Sequence, residues 1–177
     1  GLLEACAALG DNEFHNCVVF HSLSKRSNLP GLRSGFVAGD ADILRAFLQY
    51  RTYHGCALPI HHQLGSIAAW NDEEHVKANR QQYREKFSAV LAELAGHLPV
   101  TAPEAGFYLW PRTPLSDTEF ARQLYAGENV IVLPGRFLAR EAGGINPGEN
   151  RVRMALVASK EHCVEAAQRI VHRLSLL

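Results

Sequence analysis

The sequence predicts an α/β protein built from two parts, and three patterns along the chain lead to this prediction. Apolar, β-branched runs over residues 17–21 and 35–39 are typical of strands, and the first run indicates a buried one. Asp40 is a candidate N-cap for an amphipathic helix over 41–53. Beyond Pro99, short strand-like and helix-like runs alternate, which indicates a small α+β layer.

The remaining elements follow from the same periodicities. We expect helices over 2–9, from Pro59 to about 71, and over 72–97, the last as a connection between two domains. In the last hundred residues we expect strands over 107–110, 130–133 and 151–157, and helices over 117–126 and 160–174. These elements predict one domain over 1–75 and a second over 76–177.

Composition excludes several classes of protein. The 177 residues contain 18 Lys and Arg against 18 Asp and Glu, so there is no basic excess of the kind that nucleic-acid binding requires. No apolar run approaches the ~20 residues that span a bilayer. A soluble cytoplasmic protein is the expectation.

The cysteines and histidines do not predict a metal site. Four cysteines are scattered without a CxxC pair, which favours reduced thiols over zinc ligands or disulfides. His61 and His62 form the tightest histidine cluster, but adjacent residues on a helix point about 100° apart and rarely share a metal. We therefore expect no metal.

The segment over 22–35 carries the clearest chemistry. It reads Ser22-x-Ser24-Lys25-x5-Gly31-x-Arg33-x-Gly35. Hydroxyls and a guanidinium are the donors that a phosphate dianion needs, and a lysine amine among them can attack an aldehyde. From the spacing alone, a solvated basic loop explains the segment equally well.

This segment resembles the cofactor-lysine signature of class I/II aminotransferases, S-x-[ST]-K followed by Gly-x-Arg-x-Gly. The resemblance implies pyridoxal 5′-phosphate (PLP) as cofactor, joined to Lys25 through an imine bond, with Lys25 later serving as acid–base catalyst. It also implies that Ser22, Ser24 and Arg33 bind the cofactor phosphate. Amino-acid and 2-oxo-acid substrates and a homodimer are implied too, with neither nucleic acid nor a membrane as partner.

The same resemblance implies a fold. It is the C-terminal portion of the PLP-dependent transferase (aspartate aminotransferase-like) fold, which comprises part of the large-domain sheet and the small α+β C-terminal domain. The large-domain sheet is mainly parallel in the family, and the strand over 35–38 corresponds to its antiparallel member. Strands absent from this chain would leave a sheet edge exposed.

The predicted strand at 150–156 resembles the family's C-terminal strand, which carries the arginine for the substrate α-carboxylate. Arg151 and Arg153 face the same way on a strand, so alternation does not choose between them. The family spacing favours Arg153. Residues 106–108 resemble a strand whose aromatic side chains border the substrate entrance, although core packing explains those side chains equally well.

Segments 25–35, 133–141 and 144–148 resemble the bacterial N-succinyldiaminopimelate aminotransferases. The implied reaction is transfer of an amino group from N-succinyl-LL-2,6-diaminopimelate to 2-oxoglutarate in lysine biosynthesis, yielding glutamate. Both substrates carry a carboxylate besides the α-carboxylate, so a second cationic group is required. Arg136 and Arg140 are candidates by position alone.

The resemblance covers only the C-terminal half of a complete enzyme. The family places its ring-stacking aromatic, the acid for the ring nitrogen and a phosphate loop upstream of the lysine, and residues 1–24 supply none of them. We therefore expect little or no activity from this chain alone. Alternatives are an aspartate or aromatic aminotransferase, a lyase on the same scaffold, the aminotransferase-like effector domain of a transcription regulator, or a stable proteolytic core.

Overall fold

The computed structural model describes residues 1–177, which form two compact units, 1–79 and 80–177. The first unit contains α1 (Leu2–Ala8), β1 (Val18–Ser22), α2 (Leu23–Arg26), a 3₁₀ turn (Pro30–Leu32), β2 (Gly35–Gly39), α3 (Ala41–His54) and α4 (Ile60–Asn71). Helix α5 (Glu74–Leu94) begins in the first unit and continues into the second. The second unit contains β3 (Tyr108–Leu109), α6 (Asp117–Glu128), β4 (Leu133–Pro134), a 3₁₀ turn (Gly135–Phe137), β5 (Val152–Ala155) and α7 (Lys160–Leu174).

Strands β1 and β2 form an antiparallel pair, as predicted for the strand over 35–38. Their register runs from Val18 opposite Gly39 to Ser22 opposite Gly35. A Cβ atom added at Gly35 would lie 2.5 Å from the His21 carbonyl oxygen, so this close approach requires glycine. The two strands thereby bring the segment that follows β1 next to the segment that precedes β2.

The prediction that β1 is buried is wrong for this chain. The Phe20 side chain is 71% exposed, and Phe36 on β2 is also exposed. This sheet has only two strands, so β1 side chains have neighbours on one adjacent strand alone, and its exposed faces are not covered as the helix layers of a larger sheet cover a central strand. Phe20 contacts the Phe47 ring of α3 edge-on, with 6.0 Å between the ring centroids.

A groove of about 620 Å³ lies between the β1–β2 pair and α3. Its walls are mainly apolar and include Phe20, Val37 and Leu44, and Ser22 borders it.

Helix α3 begins as predicted: the Asp40 carboxylate accepts hydrogen bonds from the main-chain N–H groups of Asp42 and Ile43, at 2.9 and 3.1 Å.

The second unit has a three-stranded antiparallel sheet in the order β3-β5-β4. Its core lies between this sheet and the helices. The largest fully buried side chains of this core are Leu94, Leu109, Phe120, Leu124 and Val152. Helix α7 spans the predicted residues, 160–174.

The strands of the second unit are shorter than predicted. Of the expected strand over 130–133, only Leu133 belongs to β4. Val130 and Val132 are buried in the core, so their apolar character reflects packing rather than strand pairing. Similarly, the strand expected over 151–157 is restricted to β5, Val152–Ala155.

Gly135 and Gly148 bring the main chains of segments 133–141 and 144–148 into direct contact. A Cβ at Gly135 would lie 2.2 Å from the Gly148 carbonyl oxygen, and a Cβ at Gly148 would lie 2.1 Å from the Gly135 carbonyl oxygen. The Gly135 N–H also donates to the Arg151 carbonyl at 2.7 Å. Only glycine fits at both positions, and the contact joins this loop region to the start of β5.

Two further findings concern the whole chain. None of its helices combines the length and the apolar character that crossing a bilayer requires. No three His, Cys, Asp or Glu side chains are grouped as ligands for a metal ion.

Candidate functional site

Ser22 lies where β1 meets α2, and its hydroxyl organises the junction. Its Oγ atom accepts a hydrogen bond from the Ser24 N–H at 3.1 Å and so caps α2. The same oxygen lies 2.9 Å from Ser24 Oγ and 3.0 Å from the Ser34 carbonyl oxygen. The two hydroxyls proposed for phosphate are therefore adjacent and precede Lys25 directly.

Lys25 lies on α2, a helix of four residues, and its side chain is exposed. Leu23, the first residue of α2, is fully buried and anchors the helix in the core. The Leu23 carbonyl accepts hydrogen bonds from the N–H groups of Ser27 and Leu29, at 3.0 and 3.2 Å. A buried, hydrogen-bonded residue thus lies two positions before the lysine.

Arg33 follows the 3₁₀ turn in the left-handed conformation, with φ 51°. Its guanidinium donates to the Pro30 carbonyl at 2.7 Å. The next residue, Ser34, accepts a hydrogen bond from the Leu23 N–H at 3.1 Å. The main chain at Arg33 is thereby tied to the β1–α2 junction. Positive φ at a non-glycine residue costs free energy and is concentrated at functional sites.

The donor set in the first unit fits a phosphorylated aldehyde. Two hydroxyls and an exposed guanidinium provide hydrogen bonds and charge for a phosphate dianion. The amine of Lys25 provides the nucleophile for a carbonyl carbon. The structure brings Ser22 and Ser24 into contact and holds Lys25 and Arg33 on segments bonded to the same junction.

Arg153 lies in the second unit on β5, on the face opposite the buried side chains of Val152 and Met154. The structure distinguishes it from Arg151, which sequence alternation alone does not. The Arg151 guanidinium donates to the Trp110 carbonyl at 2.9 Å, whereas the Arg153 guanidinium lies 4.8 Å above the centre of the Tyr108 ring. Stacking occupies one face of a guanidinium and leaves its N–H groups directed in the plane, where a carboxylate binds.

Arg136, one candidate for a second cationic group, is engaged in a structural contact. Its Nε atom lies 2.7 Å from Asp117 Oδ1, and its main-chain N–H donates to Oδ2 at 2.9 Å. Asp117 is completely buried, so this ion pair holds Arg136 against the start of α6. Arg140, the other candidate, is exposed.

A family model described as aminotransferase class I and II matches residues 3–170. The chain belongs to the class I and II aminotransferase family. Members of this family are PLP-dependent, and the donor set around Lys25 fits that cofactor. The fold expectation is confirmed as well, because solved aminotransferases superpose on nearly the whole chain.

Three similar proteins illustrate the match. An aminotransferase from Neisseria meningitidis is 53% identical, with a TM-score of 0.93 over 98% of this chain and 44% of its own. A probable N-succinyldiaminopimelate aminotransferase from Thermus thermophilus is 32% identical, with a TM-score of 0.76 over 90% of this chain and 42% of its own. The LL-diaminopimelate aminotransferase of Syntrophobacter fumaroxidans is 33% identical over 86% of this chain and 39% of its own length. The chain thus spans less than half the length of the aminotransferases it matches.

Proposed function

We propose that this chain forms the C-terminal part of a PLP-dependent aminotransferase in which Lys25 is the cofactor lysine. The observation that carries the proposal is the pair of hydroxyls, Ser22 and Ser24, held 2.9 Å apart directly before an exposed lysine. Family membership supplies the reaction class, which is transfer of an amino group between an amino acid and a 2-oxo acid.

Each residue has a separate task in this proposal. PLP supplies an aldehyde carbon and a ring that withdraws electrons from the substrate. Ser22, Ser24 and Arg33 bind its phosphate and so fix its orientation. Lys25 Nζ would hold the cofactor at its aldehyde carbon, and the Lys25 amine would carry a proton to or from the substrate Cα. Arg153 binds the substrate α-carboxylate.

The proposed substrates are N-succinyl-LL-diaminopimelate and 2-oxoglutarate, which would place the enzyme in cytoplasmic lysine biosynthesis, acting as a homodimer. Support comes from segments 25–35 and 133–141 and from two diaminopimelate aminotransferases among the similar proteins. Both proposed substrates carry a carboxylate besides the one at the reacting carbon, so a second cationic group is required, and we propose Arg153 and Arg140 for the two positions.

Substrate profiling of the complete enzyme tests the substrate. We expect N-succinyl-LL-diaminopimelate to convert bound PLP to pyridoxamine 5′-phosphate faster than aspartate or phenylalanine. Phenylalanine has no second carboxylate, and aspartate, whose second carboxylate lies close to its α-carbon, has no succinyl group. Product formation is followed by chromatography, and the 177 residues alone are expected to show little or no turnover. A preference for aspartate or phenylalanine would replace the proposed substrate, whereas no turnover with any donor would favour an effector domain.

Arg33→Ala tests phosphate binding in the chain itself. The protein is incubated with PLP, reduced with borohydride, and the adduct is measured as a function of PLP concentration. We expect the half-saturating concentration to rise roughly ten- to hundred-fold in the variant, because a charge-assisted hydrogen bond contributes about 1.5–3 kcal/mol.

Pyridoxal without phosphate provides the control ligand, since it is expected to react equally with both proteins. Arg45→Ala is the matched control variant, because Arg45 is exposed on α3 and pairs only with Asp42 of the same helix. An Arg33→Ala protein that still prefers PLP over pyridoxal to the wild-type extent would contradict the proposal.

A further inference from the structure

Arg26 directly follows Lys25, but its side chain is only 8% exposed. One guanidinium nitrogen donates to the Ala69 carbonyl at 2.9 Å and to Ser27 Oγ at 3.1 Å, and the other donates to the Trp70 carbonyl at 3.4 Å. The guanidinium also lies 5.0 Å from the centre of the Trp70 ring and forms an ion pair with Glu73. One side chain therefore connects α2 to the last turn of α4.

These contacts suit the C-terminal end of a helix. The last four carbonyls of α4 have no partner within the helix, and Arg26 hydrogen-bonds two of them. Its positive charge also interacts favourably with the negative end of the helix dipole. Arginine performs this task because its guanidinium is flat enough to stack on Trp70 while its N–H groups remain in the plane for carbonyls.

Helix α2 needs such contacts, because a four-residue helix is not stable by itself. Leu23 fixes its first residue in the core, and Arg26 fixes its last. Lys25 lies between these two fixed points with its side chain on the exposed surface.

We propose that Arg26 is a positioning residue that holds the main chain of Lys25 against the end of α4, so that the lysine amine meets the cofactor aldehyde in a reactive geometry. This inference rests on the proposed role of Lys25. Arg26 itself would not contact the cofactor and would act through α2. A displacement of about 1 Å at a reacting group can lower a rate by as much as 100-fold.

The test separates lysine positioning from phosphate binding in the chain. Arg26→Ala is expected to slow borohydride-trapped adduct formation on Lys25 by roughly ten- to hundred-fold at saturating PLP. Its affinity for pyridoxamine 5′-phosphate, which has the phosphate but no aldehyde, is expected to stay close to that of the wild type. Arg26→Lys is expected to restore part of the rate, because an ammonium can bind the carbonyls but cannot stack as a plane.

Two further variants serve as comparison. Glu73→Gln is expected to slow trapping less than Arg26→Ala, because the buried guanidinium loses its carboxylate partner but keeps its contacts with the Ala69 and Trp70 carbonyls. Trp70→Leu is expected to slow trapping, because it removes the ring beneath the guanidinium.

The outcomes of the two proposals are distinguishable. If the wild type forms no adduct on Lys25, the proposed function fails. If it does, and a folded Arg26→Ala protein forms the adduct equally fast, the positioning role is wrong. If circular dichroism shows that Arg26→Ala is unfolded, Arg26→Lys and Trp70→Leu take its place in the test. Trapping at the wild-type rate in both variants would overturn the positioning role. Slow trapping with retained binding of pyridoxamine 5′-phosphate would support it.

Discussion

Lys25→Arg is expected to abolish covalent capture of PLP by this chain. The substitution keeps the positive charge and a similar length, but a guanidinium stays protonated and does not form an imine. The adduct is measured by intact mass after borohydride reduction, at the PLP concentration that half-saturates the wild type. The variant should form at least about 100-fold less adduct than the wild type, because it lacks the oriented nucleophile.

Lys77→Arg is the matched control, because Lys77 is exposed in the same unit and pairs with Glu74. It should leave the adduct unchanged. Reversible binding of PLP through Ser22, Ser24 and Arg33 should persist in the Lys25→Arg protein. Equal adduct formation by the wild type and Lys25→Arg would show that another amine captures the cofactor.

Asp117→Ala is expected to destabilise the second unit by about 3 kcal/mol, as measured by urea denaturation. Removing one partner of a buried ion pair typically costs about 3–5 kcal/mol, because the other charge is left unpaired. The lower end applies here because the Arg136 side chain is 36% exposed, can regain water and keeps its longer pair with Glu149. The Arg136 main-chain N–H also loses its acceptor.

Two variants control for this effect. Asp117→Asn keeps a carbonyl oxygen for the Arg136 N–H and should lose less stability than Asp117→Ala. Glu149→Gln removes the longer pair to Arg136, 3.5 Å at a largely exposed carboxylate, and should change stability by less than about 0.5 kcal/mol. An Asp117→Ala protein within about 0.5 kcal/mol of the wild type would contradict a structural role for the pair.

The same pair predicts a pH dependence. Burial opposes ionisation of Asp117, but hydrogen bonds from the Arg136 N–H and guanidinium outweigh it, so the pKa lies below its ordinary value of 3.8. A carboxyl whose pKa is lower in the folded state stabilises the fold above its unfolded-state pKa. This contribution is therefore complete above about pH 4 to 5 and is lost as the pH falls through the lowered pKa. In Asp117→Ala this part of the acid dependence should disappear.

Much of the cofactor segment could be predicted from sequence because the relevant residues are close in the chain. Ser22, Ser24 and Lys25 are neighbours, and the antiparallel return of β2 brings the region of Arg33 back to the same junction. The start of α3 was equally predictable, since Asp40 caps N–H groups two and three residues later.

Contacts between distant residues could not be predicted in this way. Arg26 hydrogen-bonds to Ala69, 43 positions later, and Asp117 pairs with Arg136, 19 positions later. No local sequence pattern predicts either contact. The burial of β1 was predicted wrongly for a related reason. An apolar run such as 17–21 shows that a strand can be buried, but the elements that pack on its faces are distant in sequence and do not appear in the run itself.

Mapping the reduced adduct onto the chain shows whether Lys25 is the lysine that captures the cofactor. The protein has only four lysines, Lys25, Lys77, Lys86 and Lys160, so peptide mass spectrometry after borohydride reduction can assign every lysine adduct. We predict a single adduct on Lys25 at low PLP concentration, lost in Arg33→Ala. Adducts spread over Lys77 and Lys160, the exposed lysines outside the segment, with Lys25 no more reactive than they are, would contradict the assignment of Lys25 as the cofactor lysine.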